Sequence, residues 1–264
     1  MKATREDSET GRRGNVSPSL PVITLLTDFG TADYFVGAVK GAILSVNPVA
    51  VVVDITHEIP PQDIEAGAFT LLAAYKTFPA GTIHLAVIDP GVGSTRRPII
   101  VTANEQFFVG PDNGLFGYIY DREPSHRVVH VTSECFFRPS VSSTFHGRDV
   151  FAPVAAALSK GIAVEEFGVE IHDPVRLPSL ETPLRIIHID RFGNCVTNIT
   201  RDLSPGEIVV KGRRIGEFRQ FYGEGDEESL FAIWGSAGFL EISVNGGSAA
   251  KMLDVQRGDE VSFT

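Results

Sequence analysis

VITLLTDFG, residues 22–30, joins a continuous apolar run to a short loop that holds an acid and a glycine. A run of this length that enters a polar loop is typical of a buried parallel strand. Segments of alternating helix and strand character follow at 33–46 (helix), 49–55 (strand), 62–77 (helix) and 82–89 (strand). Asp33 is the predicted N-cap of the first of these helices. This order predicts an α/β fold with a mostly parallel sheet and right-handed crossovers.

The rest of the chain separates into two parts of different character. Further strands at 98–102, 106–109 and 127–132 and a helix at 148–159 extend the α/β pattern. After residue 173 the pattern is lost, and short strand-like runs separated by turn residues predict a smaller β-barrel-like domain. The predicted organisation is a disordered tail (1–20), an N-terminal α/β domain (21–173), a proline-rich linker (174–183) and a C-terminal β domain (184–264).

The charge balance argues against two classes of partner. With 33 acidic against 23 basic residues, the formal net charge is −10, which opposes binding to nucleic acid and to anionic membrane surfaces. No apolar run reaches the ~18 residues that a membrane span needs, and the start of the chain lacks the apolar core of a secretory signal. We therefore expect a cytoplasmic protein with no nucleic-acid and no membrane partner.

Acids and glycines gather where the predicted strands end. The loops concerned are TDFGTAD (27–33), DPGVGSTR (89–96), GPDNG (110–114), STFHGRD (143–149) and, in the second domain, DRFGNCVTN (190–198). Ligands bind outside the carboxyl ends of strands in open α/β sheets, and glycine lets backbone N–H groups approach a ligand closely. Each loop alone also fits an ordinary turn, and for Asp112 and Asn113 that interpretation is favoured. Together, the loops predict one ligand site.

The absence of common site motifs excludes several classes of enzyme but does not identify the reaction. The sequence has no dinucleotide fingerprint, no phosphate-binding P-loop, no serine-hydrolase elbow and no zinc-protease motif. Asp28, Asp33, Asp89 and His146 are residue types that also bind metal ions. The residues taken alone therefore leave a metal-dependent hydrolase open.

Six segments resemble, in the same order, the S-adenosylmethionine hydrolases, which are hydroxide adenosyltransferases related to fluorinating and chlorinating enzymes. The segments are TDFGTADYFVGAVKG, VDITHEIPPQDIEAGA, IDPGVGSTRRP, VGPDNG, TFHGRDVFAP and DRFGNCVTNI. The resemblance implies an N-terminal α/β domain, a C-terminal β-barrel-like domain and a homotrimer with sites between neighbouring subunits. It also implies a reaction that needs no metal and no cofactor.

The implied reaction is attack of water or hydroxide on the ribose C5′ of S-adenosyl-L-methionine, which gives adenosine and methionine. A sulfonium leaves as a neutral thioether, so the reaction needs an oriented, activated water rather than a general acid. By resemblance Asp89, Arg96 and His146 handle that water, and Arg96 keeps the Asp89 carboxylate ionised. Either Asp89 or His146 is the proton acceptor, and the sequence leaves both open.

The resemblance also assigns substrate-binding residues to the N-terminal domain. Asp28 would accept the ribose 2′- and 3′-hydroxyls, Asp33 would support its loop, and Phe145 would pack against the adenosine. The halide-using relatives carry a serine where this chain has Gly147, and a tyrosine where it has Asp89. A carboxylate repels a halide anion and suits a water nucleophile, so the resemblance favours hydrolysis.

The second domain would hold the other end of the substrate. Its assigned residues are Asp190 (methionine ammonium), Asn194 (adenine edge), Ser236 (methionine carboxylate), and Asn245 and Gly246 (adenine, through backbone). The relatives follow that serine with an arginine, whereas this chain has Ala237. Two alternatives stay open beside hydrolysis: a metal-dependent hydrolase that uses the same acids, and a protein that binds adenosine or S-adenosylmethionine without turnover.

Overall fold

The computed structural model describes residues 20–264. The predicted disordered tail over 1–20 therefore lies outside the described residues, apart from its last position. In this described range no helix is both long enough and apolar enough to cross a membrane.

One large sheet organises the N-terminal half of the chain. Its strands are β1 (Val22–Thr27), β2 (Val51–Thr56), β3 (Ile83–Val87), β4 (Pro98–Ala103), β5 (Gln106–Pro111), β6 (Arg127–Val131) and β7 (Gly168–Ile171). Their spatial order is β2-β1-β3-β5-β4-β6-β7. The first four of these are parallel neighbours, and β4, β6 and β7 alternate in direction after them. Five of the seven strands thus point one way, which confirms the predicted mostly parallel sheet.

Helices cover both faces of this sheet. They are α1 (Phe35–Val46), α2 (Ile64–Ala74), α3 (Gly117–Arg122) and α4 (Ala152–Leu158). α1 and α4 share one apolar core with the sheet, and α2 and α3 share the other. Because side chains on both faces of β1 and β3 are buried, these strands are almost entirely apolar in sequence.

Two helix starts differ from the prediction. Asp33 is not the N-cap of α1, so that prediction is wrong: the cap position is Tyr34, which makes no side-chain capping hydrogen bond. The predicted helix over 148–159 begins as a single π-helical turn, Gly147–Phe151, and becomes α4 only at Ala152. Turns of this kind occur mostly as single-turn insertions in α-helices and are frequent at functional sites.

The C-terminal half forms two smaller sheets. The strands are β8 (Ile186–Ile189), β9 (Cys195–Thr200), β10 (Ile208–Val210), β11 (Arg213–Ile215), β12 (Phe218–Arg219), β13 (Leu230–Trp234), β14 (Phe239–Val244) and β15 (Val261–Phe263). They pair in the orders β12-β13-β14-β9-β8 and β11-β10-β15. A short helix, α5 (Ala249–Leu253), packs on the apolar core that the two sheets share.

α2 is the main contact between the two halves. The ring of Phe69 stacks on His188 with centroids 4.8 Å apart, and it also meets Phe239. Near the start of the same helix, Arg257 pairs with Asp63 at 2.7 Å. The carboxyl end of the large sheet is thereby brought beside the C-terminal sheets.

Candidate active site

Asp89, Arg96 and His146 lie in direct contact, although they come from three separate loops. Asp89 follows β3, Arg96 precedes β4, and His146 precedes the π-helical turn. Arg96 Nε donates to Asp89 Oδ1 at 2.9 Å and to Oδ2 at 3.0 Å, and its Nη2 donates to Oδ2 at 2.5 Å. The same Nη2 lies 2.7 Å from Nδ1 of His146. The Asp89 and Arg96 side chains are only 6% and 9% exposed, so solvent screens this ion pair weakly.

Arg96 determines which nitrogen of His146 carries the proton. A guanidinium donates hydrogen bonds and accepts none, so Nδ1 of His146 accepts the bond from Arg96. The proton of the neutral ring is therefore on Nε2. Burial, and then the charge of Arg96, lower the pKa of His146, while Asp89 and Asp149 oppose that shift. The ring is thus neutral near physiological pH and is a donor at Nε2.

The DPGVG loop packs on the segment that leads to His146. Gly93 has φ +77°, and a Cβ built on it would lie 2.2 Å from the carbonyl oxygen of Ser143. Only glycine fits both the left-handed backbone and so close an approach. Main chain therefore sets the distance between the loops that carry Arg96 and His146.

A buried ion pair supports the other side of this segment. Asp149 is fully buried and accepts from Arg148 at 2.7 and 2.8 Å and from the Ser142 amide at 2.9 Å. Burial acts to raise the pKa of Asp149, but these hydrogen bonds together hold it below its ordinary value. The Arg148 guanidinium also lies over the Phe145 ring, 5.0 Å from its centre. Asp149 thus holds the loop that leads to His146, through the Ser142 amide.

One cavity of about 410 Å³ joins two of the three catalytic candidates, Asp89 and His146, to most of the predicted substrate residues of the N-terminal domain. Those that line it are Asp28, Asp89, Phe145, His146 and Gly147. Asp28 Oδ2 accepts the backbone N–H of Gln62 at 2.8 Å, which orients the carboxylate and leaves Oδ1 without a protein partner in the described chain. Gln62 also lines the cavity and was not predicted; its place at the end of the VDITHEIPPQ segment was the available signal.

A second cavity, of about 670 Å³, collects predicted residues of the C-terminal half. Asp190, Asn194 and Gly246 line it together with two aromatic residues that were not predicted, Phe192 and Tyr222. Asp190 accepts from the Asn194 backbone at 2.9 Å and from its side-chain amide at 2.8 Å, so the two residues form one rigid turn. Among residues 20–264, none lines both this cavity and the 410 Å³ cavity. We call them the N-terminal and C-terminal half-sites.

Three predicted residues are not gathered into either half-site. Asp33 is exposed in the loop before α1. Ser236 lies in the β13–β14 turn, at the opposite end of β14 from the C-terminal half-site, because β14 pairs antiparallel with β9. Asn245 is next to that half-site, but its side chain donates to the carbonyl of Gly225 at 2.9 Å.

Arg97, the second arginine of the RRP segment, binds residues outside both half-sites. Arg97 Nε donates to Asp112 at 2.8 Å, while Nη1 and Nη2 donate to the side chain and the carbonyl of Asp173, both at 2.8 Å. Asn113 donates to the carbonyl of Ile88 at 2.8 Å. These contacts agree with the structural interpretation of GPDNG.

The metal-dependent alternative needs a set of converging ligands. Within residues 20–264, no group of three or more His, Cys, Asp or Glu side chains is arranged to hold a metal ion. Asp28, Asp89 and His146 share a cavity, but Arg96 binds both Asp89 Oδ2 and the acceptor nitrogen Nδ1 of His146. The geometry gives that alternative no support.

Fold and site together define a two-domain α/β protein in which an acid, an arginine and a histidine are in contact near the carboxyl end of the parallel strands. Residues 23–168 match the model of the SAM hydroxide adenosyltransferase N-terminal domain, and residues 184–262 match that of the C-terminal domain. The chain belongs to the SAM hydroxide adenosyltransferase family.

Individual relatives agree with this assignment. An (R)-S-adenosyl-L-methionine hydrolase of Methanocaldococcus jannaschii is 40% identical, over 92% of this chain and 96% of that protein. A Fluorinase of Nocardia brasiliensis is more distant, at 26% identity over 91% of this chain and 96% of its own length. The crystal structure of an uncharacterized conserved protein from Thermotoga maritima superposes with a TM-score of 0.86 at 34% identity, covering 92% of this chain and all of that one.

Proposed function

We propose that this chain hydrolyses S-adenosyl-L-methionine to adenosine and L-methionine. The family and the hydrolase relatives support this activity. The observation that carries it is the guanidinium of Arg96, which holds Asp89 and His146 together in the cavity that also contains Asp28. An oriented carboxylate beside a neutral imidazole suits a water nucleophile, and Asp28 suits a ribose diol.

In the proposed step, water attacks C5′ from the side opposite to sulfur. The C5′–O bond forms as the C5′–S bond breaks, the electron pair of that bond goes to sulfur, and methionine leaves as a neutral thioether. The water proton passes to Asp89 and then to solvent, so one proton is released per turnover. No oxidant, reductant or leaving-group acid is required.

The tautomer of His146 favours Asp89 as the proton acceptor. Nδ1 of His146 already accepts from Arg96, and its Nε2 carries a proton, so the neutral ring has no free acceptor nitrogen. Asp89 Oδ1 receives only one of the Arg96 bonds and keeps a lone pair for the water. His146 would then orient the water by donating from Nε2.

Each half-site holds one part of the substrate in this proposal. Asp28 binds the ribose hydroxyls and Phe145 packs against the nucleoside, with Gly147 and the Asp33 loop beside them. Asp190 faces the cationic methionine end, and Asn194 reads the adenine edge between the rings of Phe192 and Tyr222. Backbone at Asn245 and Gly246 completes the adenine contacts. Ser236, without a following arginine, is the remaining carboxylate contact.

A complete site is proposed to form between neighbouring subunits of a homotrimer. The support is the separation of the two half-sites within one chain, which share no lining residue in the part of the chain that the structure describes. A closed ring in which each N-terminal half-site meets the next subunit's C-terminal half-site would give three identical complete sites.

Isotope labelling tests the reaction directly. The protein is incubated with S-adenosyl-L-methionine in ¹⁸O-water with a chelator present, and adenosine is analysed by mass spectrometry. We expect ¹⁸O at the 5′ position and equal turnover without chelator. Unlabelled adenosine, or activity lost to chelator and restored by a divalent ion, contradicts the proposal.

A matched pair of variants tests the role of Asp89. Asp89→Asn and Asp112→Asn each remove the charge of a buried carboxylate that pairs with one of two consecutive arginines. Only Asp89 lines the cavity. We expect Asp89→Asn to lose turnover about a hundredfold or more while still binding substrate, and Asp112→Asn to keep most of it. Equal losses would remove the proton-acceptor role.

A further inference from the structure

A third cavity lies between the two halves of one chain and has no role in the proposed reaction. It encloses about 670 Å³ between the loop after β2, the start of α2, and the segment that follows β8. We call it the interdomain cavity and define it by Glu58, Ile59, Asp63, Ile189, Arg191 and Arg257.

Two charged side chains of the interdomain cavity, one cationic and one anionic, are available to bind a ligand. Asp63 and Arg257 neutralise each other at 2.7 Å. Arg191 is exposed and has no hydrogen-bond or ion-pair partner among residues 20–264. The Glu58 carboxylate accepts only the hydroxyl of Thr31, at 3.3 Å, within the same described range. A ligand that satisfies both remaining groups carries a carboxylate and an ammonium.

Much of the remaining lining of the interdomain cavity is apolar. Ile59 is buried, and Pro60, Ala66 and Ile189 also line the cavity. The ring of His188 forms a flat wall, held in place by its stacking on Phe69. An uncharged aliphatic chain is the complement of this surface.

We propose that the interdomain cavity binds a free α-amino acid with an apolar side chain, with its carboxylate on Arg191 and its ammonium on Glu58. L-Methionine, the product of the proposed function, has this chemistry and is the first candidate; its choice rests on that function, whereas the ligand class rests on the cavity alone.

The position of the cavity connects it to both half-sites. Glu58 follows His57, whose carbonyl accepts from Gly30 at 2.8 Å and whose Nδ1 bonds the Thr27 hydroxyl at 2.8 Å. These two contacts flank Asp28 in sequence. On the other side, Arg191 follows Asp190 directly. A ligand that holds Glu58 and Arg191 therefore contacts the segments that carry the two substrate carboxylates, and any effect on substrate affinity must be reciprocal.

Binding of L-methionine to an Asp190→Ala background tests the site apart from turnover. This variant weakens methionine binding in the C-terminal half-site, and ligand-observed NMR titration then measures the interdomain cavity. We expect saturable binding that Arg191→Gln or Glu58→Gln weakens about tenfold or more, since each loses a charged contact. Arg213→Gln, at an exposed arginine outside the cavity, is the matched control and should change nothing.

Ligand analogues assign the two charges. Methionine amide lacks the carboxylate and 2-hydroxy-4-(methylthio)butanoate lacks the ammonium, so both should bind weakly. In the Arg191→Gln variant, methionine and its amide should bind alike. Binding that persists equally in the Arg191 and Glu58 variants, or no saturable binding in the Asp190→Ala background, overturns the proposal. A chain that failed to hydrolyse S-adenosylmethionine would still give a valid result here, so the two failures are distinguishable.

Discussion

Mixing two inactive variants tests whether a complete site needs two subunits. Asp89→Ala damages only the N-terminal half-site, and Asp190→Ala damages only the C-terminal half-site, because each residue lines one of the two cavities and not the other. Each variant purified alone has three defective sites in the proposed trimer. We expect both homotrimers to be inactive.

The recovered activity of a random mixture follows from this division. If each site takes its N-terminal half-site from one subunit and its C-terminal half-site from the next, an equal mixture supplies an intact copy of each with a probability of about one half. About one quarter of the sites are then intact in both halves. Coexpressed trimers purified through both tags always contain both variants, so one of their three sites is intact, and they should show about one third of wild-type turnover per chain, measured as methionine released.

A second mixture is the matched control. Asp89→Ala combined with His146→Ala places both defects in the N-terminal half-site, so no arrangement of these chains yields an intact one. We expect no recovery. Activity in this control, or no recovery in the first mixture although exchange of subunits is verified, refutes the assembly of sites from two copies.

Two further predictions concern the loops around Arg96. Burial and Arg96 lower the pKa of His146, so kcat should stay level as the pH falls to the ordinary histidine value of about 6.5. Below that pH kcat should decline, because Nδ1 of His146 takes a proton and loses its bond to Arg96. A pH profile whose acid limb lies at or above about 6.5 contradicts the assignment. Gly93→Ala should lower kcat about tenfold or more, since its Cβ meets Ser143. Gly81→Ala is the control: its φ of +80° is similar but nothing lies within 4 Å, so it should cost about 1 kcal/mol of stability and leave kcat unchanged. Equal kcat values in the two variants contradict a role for the Gly93–Ser143 contact in positioning the site.

The large sheet was predictable because its central strands are buried on both faces. Apolar runs such as 22–27 and 82–89 have no other stable place in a chain of this size. Helix starts were less predictable, since they depend on tertiary contacts. At the start of α1, packing of Tyr34 and Phe35 against Phe145 accompanies a cap that lacks a side-chain hydrogen bond, in place of the Asp33 cap that local preference favours.

Some residues of the site were likewise predictable from the sequence, and others were not. Resemblance selected Arg96 over Arg97, and the structure places Arg96 on Asp89 and His146; residue type alone gave no preference between two adjacent arginines. The π-helical turn after His146 contains the buried Asp149, and no local pattern signals either feature. Tyr222 enters the C-terminal half-site from a single 3₁₀ turn, Tyr222–Glu224, which is too short to show a sequence periodicity, so only its three-dimensional position identifies it.

Arg96 and Arg97 bind different partners, and this affects where a chimera of two family members should be joined. Arg97 clamps Asp112 and both polar groups of Asp173, just before the predicted linker, while the neighbouring Arg96 holds the proposed catalytic pair. A displacement of Asp173 would therefore act on Arg97, the residue next to Arg96. A chimera that exchanges C-terminal halves between family members is best joined after residue 183, so that the clamp is inherited with the half that contains it.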